Sequence, residues 1–258
     1  MLMCGGADAA FGRSFTPASL GAKLWLWQDP NQGVTTAGTS VTSIVERGPD
    51  ALTGTGANAP PHVIADANFN NKASIQFTAA SSQSVSYNAT LGARFGGLNT
   101  GCRGSMLYRP GAAAALTIWS VGNGGAAAQE WRMRHNATNV LSFVRTGSDG
   151  VSTDTDIGAT ALTLDTLYLV SWYYTGTNLY LFINGTVDLN NVAHSTTTLG
   201  TLNAFSFGKR NNSGGANAFT GYLGEAVIMD ATTTLAEHRQ VNDYLAARYG
   251  LTIASQSA

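Results

Sequence analysis

Asp149, Asp154 and Asp156, grouped around Gly150, are the densest acidic cluster in the chain. Calcium takes six to eight oxygens from converging loops, so these carboxylates are the ones expected to hold it. No EF-hand spacing accompanies them, and aspartates beside glycine also make plain turns. Asp29, Asp50 and Asp66 form a second, looser acidic set. Retaining glycoside hydrolysis needs two carboxyl groups about 5 Å apart. The glutamates are Glu46, Glu130, Glu225 and Glu237, and none stands two or four residues from another. Glu225 therefore reads as a lone surface or hydrogen-bonded carboxylate. His62, His135, His194 and His238 show no His-x-His or His-Glu-x-x-His spacing for zinc. No Gly-x-Ser-x-Gly elbow supplies a nucleophile, and His238 is expected to face solvent from a helix. The expectation is a non-enzyme that needs no cofactor, calcium aside. Arg210, Asn211 and Asn212 sit in a polar Gly-rich loop and are the expected glycan contacts.

These groups must be held by strands. Residues 23–27, Lys-Leu-Trp-Leu-Trp, read as a strand with Trp25 and Trp27 on one face, by the period of two. Residues 73–77 and 84–87 alternate as a hairpin would. Glu130-Trp131-Arg132-Met133-Arg134 alternates too, with Trp131 and Met133 inward and both arginines outward. Residues 168–174 are the most apolar run and predict a central strand. Asn184-Gly185 predicts a type I′ turn, whose two central residues need φ > 0. Thr234-Leu235-Ala236-Glu237 matches a capping box. Leu235, Val241, Leu245 and Tyr249 share an apolar helix face, and Gly250 sits where a C′ residue belongs. All five tryptophans fall in strand patterns and are expected in the core.

Residues 88–113 carry six glycines and little periodicity. A structureless segment of that length is uncommon unless it is functional or makes contacts. It reads as a Gly-rich insertion within one domain spanning residues 16–258, preceded by an arm at 1–15. Phe11 and Phe15 from the arm, with Leu107 and Tyr108 from the insertion, are the expected anchors for assembly.

The chain has 258 residues, enough for a two-sheet core in one domain. Charged residues make up 11%, against roughly 25% in a typical soluble domain. A net charge of -1 gives no field that would attract nucleic acid or an anionic membrane. It also gives little self-repulsion, which suits a surface that sits against neighbours. A stable secreted domain kept soluble by neutral polar groups fits the same numbers. Cys4 and Cys102 form no C-x-x-C and are expected as free thiols. The first residues show neither a basic n-region nor an apolar h-region, so no Sec leader is expected.

The order of strand, Asn184-Gly185 turn, Phe219-Thr220-Gly221-Tyr222-Leu223-Gly224-Glu225 strand and closing helix resembles the concanavalin A-like, laminin-G-like jelly rolls of bacterial and bacteriophage proteins. The Pro17 turn followed by Leu-Trp-Leu-Trp is similar to their opening phrase. The turn 46–50 departs from the acidic Ser-Gly-Asn type. The resemblance implies an all-β antiparallel sandwich of jelly-roll type with a short C-terminal α-helix. With the low charge and the insertion, it implies a non-enzymatic bacteriophage virion structural protein, such as a head decoration, fibre or tail appendage. Such a protein would be made in the host cytoplasm, with other virion proteins and copies of itself as partners. The alternative is a carbohydrate-binding module that recognises host-surface glycan.

Overall fold

The computed structural model describes residues 15–96, 101–114, 116–123, 129–150, 153–194, 199–211 and 218–256. Two antiparallel sheets face each other. The first holds, among the described residues, β1 (Leu24–Gln28), β5 (His62–Asp66), β6 (Lys72–Phe77), β8 (Cys102–Pro110), β13 (Tyr168–Tyr174), β14 (Asn178–Ile183), β15 (Thr186–Ala193) and β17 (Gly221–Asp230). They run in the order β15-β14-β13-β8-β17-β6-β5, with β1 paired to the far half of β17. The second sheet holds β2 (Val34–Ala37), β3 (Ser40–Val45), β4 (Thr53–Ala57), β7 (Ser84–Tyr87), β9 (Leu116–Gly122), β10 (Glu130–His135), β11 (Val140–Thr146), β12 (Thr153–Ala161) and β16 (Ala204–Phe207). Their order is β12-β11-β10-β9-β16-β7-β4-β3-β2. Consecutive strands that lie far apart in the sheets give the crossing connections of a jelly roll.

Aromatic rings fill the space between the sheets. Trp119 of the second sheet stacks on Trp172 of the first, with centroids 5.4 Å apart. Phe205, Phe143 and Trp131 close around them. Trp27, Trp119, Trp131 and Trp172 are all buried, as their strand positions imply, and Trp25 is partly so. A short helix, α1 (Ala89–Phe95), plugs one end of the sandwich with Phe95 against Trp25 and Trp131. The closing helix, α2 (Leu235–Tyr249), lies on the outer face of the first sheet. Its Val241, Leu245, Ala246 and Tyr249 pack on Leu107, Leu169, Val227 and Met229. The Thr234–Glu237 capping box forms in both directions, and Gly250 is left-handed at φ 67. Asn184 and Gly185 both have positive φ and join β14 to β15, as the dipeptide predicts.

One expectation fails because of a bulge. Trp25 and Trp27 do not share a face. The register of β1 on β17 slips between Leu24 and Leu26, so Trp25 packs with the inter-sheet core and Trp27 with the helix layer.

The Gly-rich insertion is a correction. Its second half is β8, which pairs with β13 on one side and β17 on the other, at the centre of its sheet. Leu107 and Tyr108 have no exposed surface and cannot anchor a partner. The glycines disguised the strand. A Cβ at Gly104 would come within 2.1 Å of Trp172 Cζ2, so glycine there makes room for the indole. Cys102, expected in a loop, opens this strand as a buried free thiol, and burial pushes it up to about 12. Phe15 is partly buried against the helix layer, and Phe11 lies outside the described residues.

Candidate functional site

Strands β13 and β14 alternate strictly, so Val170, Trp172 and Tyr174 enter the core while Ser171 and Tyr173 point outward. The turn at 175–178 sets the register in which Tyr173 stands opposite Tyr180. One row inward, Ser171 and Phe182 are buried, and Ser171 takes bonds from Asn242 of α2 and from Gln256. The tyrosine row lies beyond these bonds. Both rings are partly exposed and stacked, 5.4 Å apart and 15° from parallel. The Arg103 guanidinium lies 3.6 Å from the centroid of the Tyr173 ring, on the side away from Tyr180, and is anchored by its Nε donating to the Thr233 carbonyl at 2.7 Å.

The outer flank is built by a second bulge. Between Leu179 and Leu181 of β14, the partner strand β15 uses one extra residue. Asn191 adopts φ 54 there, a left-handed conformation asparagine tolerates. The bulge turns Asn191 onto the tyrosines: Tyr180 donates its hydroxyl to Asn191 Oδ1 at 2.7 Å, and Asn178 Nδ2 donates to the same oxygen at 3.0 Å. Two polar ends are left over. Among the described residues, neither the Asn178 side-chain oxygen nor the Asn191 side-chain nitrogen has a hydrogen-bond partner. Tyr173 is thus flanked by Arg103 on one side and Tyr180 on the other, and the partly exposed ring pair stands beside one free acceptor and one free donor.

The sequence-predicted residues lie elsewhere. Asn211 is spent as a staple: its Nδ2 donates to the Ser120 and Ala204 carbonyls, and its Oδ1 accepts from Ser206. It has nothing left for a sugar. Arg210 grips both oxygens of buried Glu130, at 2.7 and 2.5 Å. Asn212 lies outside the described residues. Of the three aspartates, Asp154 and Asp156 come together at the sandwich edge with His194, which the sequence did not single out. Asp149 is not in that group. His194 Nδ1 bonds Asp156 and comes to 3.8 Å from Asp154. Two carboxylates and an imidazole fall short of the all-oxygen cage calcium takes, so the described donors do not fit that ion.

Two other polar clusters are sealed. Glu225 and Asp29 are both wholly buried; of the two readings the sequence left for Glu225, surface or hydrogen-bonded, the structure shows the second. A bulge in β17 at Gly224–Glu225 turns the carboxylate under the helix layer, where Trp27 Nε1 and Arg248 Nε meet it. Arg47 and Arg248 hold Asp29 at 2.9 and 3.0 Å. Burial and the Asp29 charge push Glu225 up to about 7, against the pull of Arg248. His238 is also buried rather than solvent-facing, because Ser105 on the sheet gives its helix a polar seam. Ser105 Oγ lies 3.0 Å from His238 Nε2 and 2.6 Å from Asn242 Oδ1. Burial pushes that imidazole down to about 3, and no surface reaches the serine. The cleft beside Trp25, Phe95, Trp131 and Tyr174 has space for about one water molecule.

A two-sheet sandwich with a closing helix and sealed carboxylates is the geometry against which known proteins can be set. The family described as the concanavalin A-like lectin/glucanases superfamily matches residues 107–237, half of the chain. The chain belongs to that superfamily. The match begins in β8 and ends in α2, so it includes β13, β14 and β15. Solved structures of this superfamily's fold align over most of the chain. The fourth domain of an extracellular arabinanase from Geobacillus stearothermophilus, in complex with arabinotriose, is 11% identical with a TM-score of 0.57, over 85% of this chain and 98% of that one. The binding domain of botulinum neurotoxin DC in complex with SialylT is 10% identical with a TM-score of 0.58, over 88% of this chain. Trypanosoma rangeli sialidase in complex with sialic acid is 12% identical with a TM-score of 0.60, over 88% of this chain. The chain spans 52% of the neurotoxin domain and 33% of the sialidase. At these identities the likeness is one of fold. No curated protein matches the sequence.

Proposed function

We propose that this lectin-like jelly roll binds carbohydrate without cleaving it, on the platform made by Tyr173, Tyr180, Asn178 and Asn191. The observation that carries the reading is the stacked, partly exposed tyrosine pair beside an unspent donor and an unspent acceptor. The C–H groups of a pyranose can pack on the exposed part of the paired rings. Its adjacent hydroxyls each donate and accept, which suits an amide oxygen next to an amide nitrogen. The parallel, cross-braced rings lose little freedom on binding.

The sealed state of Glu225, Asp29, Ser105 and His238 supports binding rather than turnover. Structures of the same fold in complex with arabinotriose and with SialylT support a glycan ligand. A virion role rests on low charge and resemblance; the tyrosine platform supports the glycan reading over it.

Tyr180→Ala is expected to weaken binding to a neutral oligosaccharide about tenfold, or roughly 1.4 kcal/mol. It should move unfolding stability by less than about 0.5 kcal/mol, because the ring is partly exposed. Calorimetric titration of both proteins checks this. Equal affinity would remove the platform from the binding account.

A further inference from the structure

A polar pocket lies one row from the tyrosines. The chain leaves α2 at left-handed Gly250 and turns back over the first sheet, where Ala254 donates its amide to the Asn184 carbonyl at 2.9 Å. Between this returning segment, residues 253–256, and Arg239, Asn242 and Asp243 of α2 there is a space of about 280 Å³. Small-molecule sites begin at about 300 Å³. Two of its lining residues tie it to the sheet: Asn242 and Gln256 both donate to Ser171 Oγ, at 3.4 and 2.7 Å. Ser171 and Tyr173 are two residues apart on the same outward face of β13, a step of about 7 Å.

The charges in this pocket are unspent. Asn242 and Gln256 are buried and held by Ser171, so the polar side chains open to a ligand are exposed Asp243 and Ser255 and partly exposed Arg239. Arg239 and Asp243 stand four residues apart on the helix, where side chains are neighbours. They form no ion pair, and among the described residues neither side chain has a hydrogen-bond partner. A simple ion would be drawn to one of them and repelled by the other. A hydroxyl suits both, because it donates to a carboxylate and accepts from a guanidinium.

We infer that the glycan site continues from the tyrosine row into this pocket and takes a chain of sugar units, the second of which sets neighbouring hydroxyls on Arg239 and Asp243. The inference rests on the glycan-binding reading and specifies its ligand as an oligosaccharide rather than a single sugar. A small zwitterion would also match the two charges; the single step to the rings favours a chain. The contacts are to side chains, so the α2 amides keep their own helix bonds.

The test titrates the whole protein with neutral gluco-, xylo-, arabino-, manno- and galacto-oligosaccharides, each supplied as one, two and four units. In the series that binds, two units are expected to bind at least about tenfold tighter than one. Asp243→Asn and Arg239→Gln are each expected to remove most of that ratio, whereas Tyr180→Ala weakens every length. Asp243 is exposed, so its variant serves if Arg239→Gln does not fold. Equal affinity for one unit and four overturns the inference, as does a ratio that both variants keep. Free alanine that occupies the pocket while single sugars still bind would assign it to a zwitterion and overturn the inference too. In each of these cases Tyr180-dependent binding of the single sugar leaves the platform reading standing, whereas no binding in any series ends both.

Discussion

Trp172→Ala is expected to lower unfolding stability by about 3–5 kcal/mol. The indole is wholly buried, stacks on Trp119 and lies against Phe143. Its removal opens a cavity between two rigid sheets that cannot close around it. The same contact is testable from the other side. Gly104→Ala places a methyl group where the Trp172 ring already is, so overpacking should cost about 1–3 kcal/mol or more. Urea unfolding of both variants checks the pair. A neutral Gly104→Ala would mean that β8 does not run beneath Trp172, and the register of the first sheet would be wrong.

Glu225→Gln is expected to flatten the pH dependence of stability. Glu225 is raised from 4.5 to about 7 in the folded protein. Between those values the folded state holds a proton that the unfolded state has released. The stability this group contributes is therefore fully present below pH 4.5 and is lost as pH rises through 7. The loss amounts to about 3 kcal/mol for a shift of this size. Glutamine cannot ionise, so the variant should lose less stability than the parent between pH 5 and pH 8. Denaturant titrations at both pH values measure it. Identical slopes in parent and variant would show that Glu225 does not titrate in this window.

Local signals in the sequence were legible. Glu130 to Arg134 alternates, and the structure buries Trp131 and Met133 and leaves the arginines outward. Asn184-Gly185 and the Thr234–Glu237 cap specify their turns through their own backbones, so they needed no distant partner. The positions that escaped depend on residues far along the chain. Gly104 belongs to a strand because of Trp172. His238 is buried because Ser105 faces it. Glu225 and Asn191 are aimed by bulges, and a bulge is a mismatch between two strands that neither strand shows alone. The platform itself left a trace. Tyr173 and Tyr180 are outward by the period of two, and the turn between them pairs 174 with 179 and so 173 with 180. Asn191, which completes the site, left none.

The central claim is that the tyrosine platform is where glycan binds. Amide hydrogen exchange with and without a saturating neutral oligosaccharide tests it most directly. Added protection is predicted at residues 173–180 and at 190–192, with α2 and the buried Glu225 region unchanged. Protection confined to other segments, with β13 to β15 unaffected, would contradict the claim.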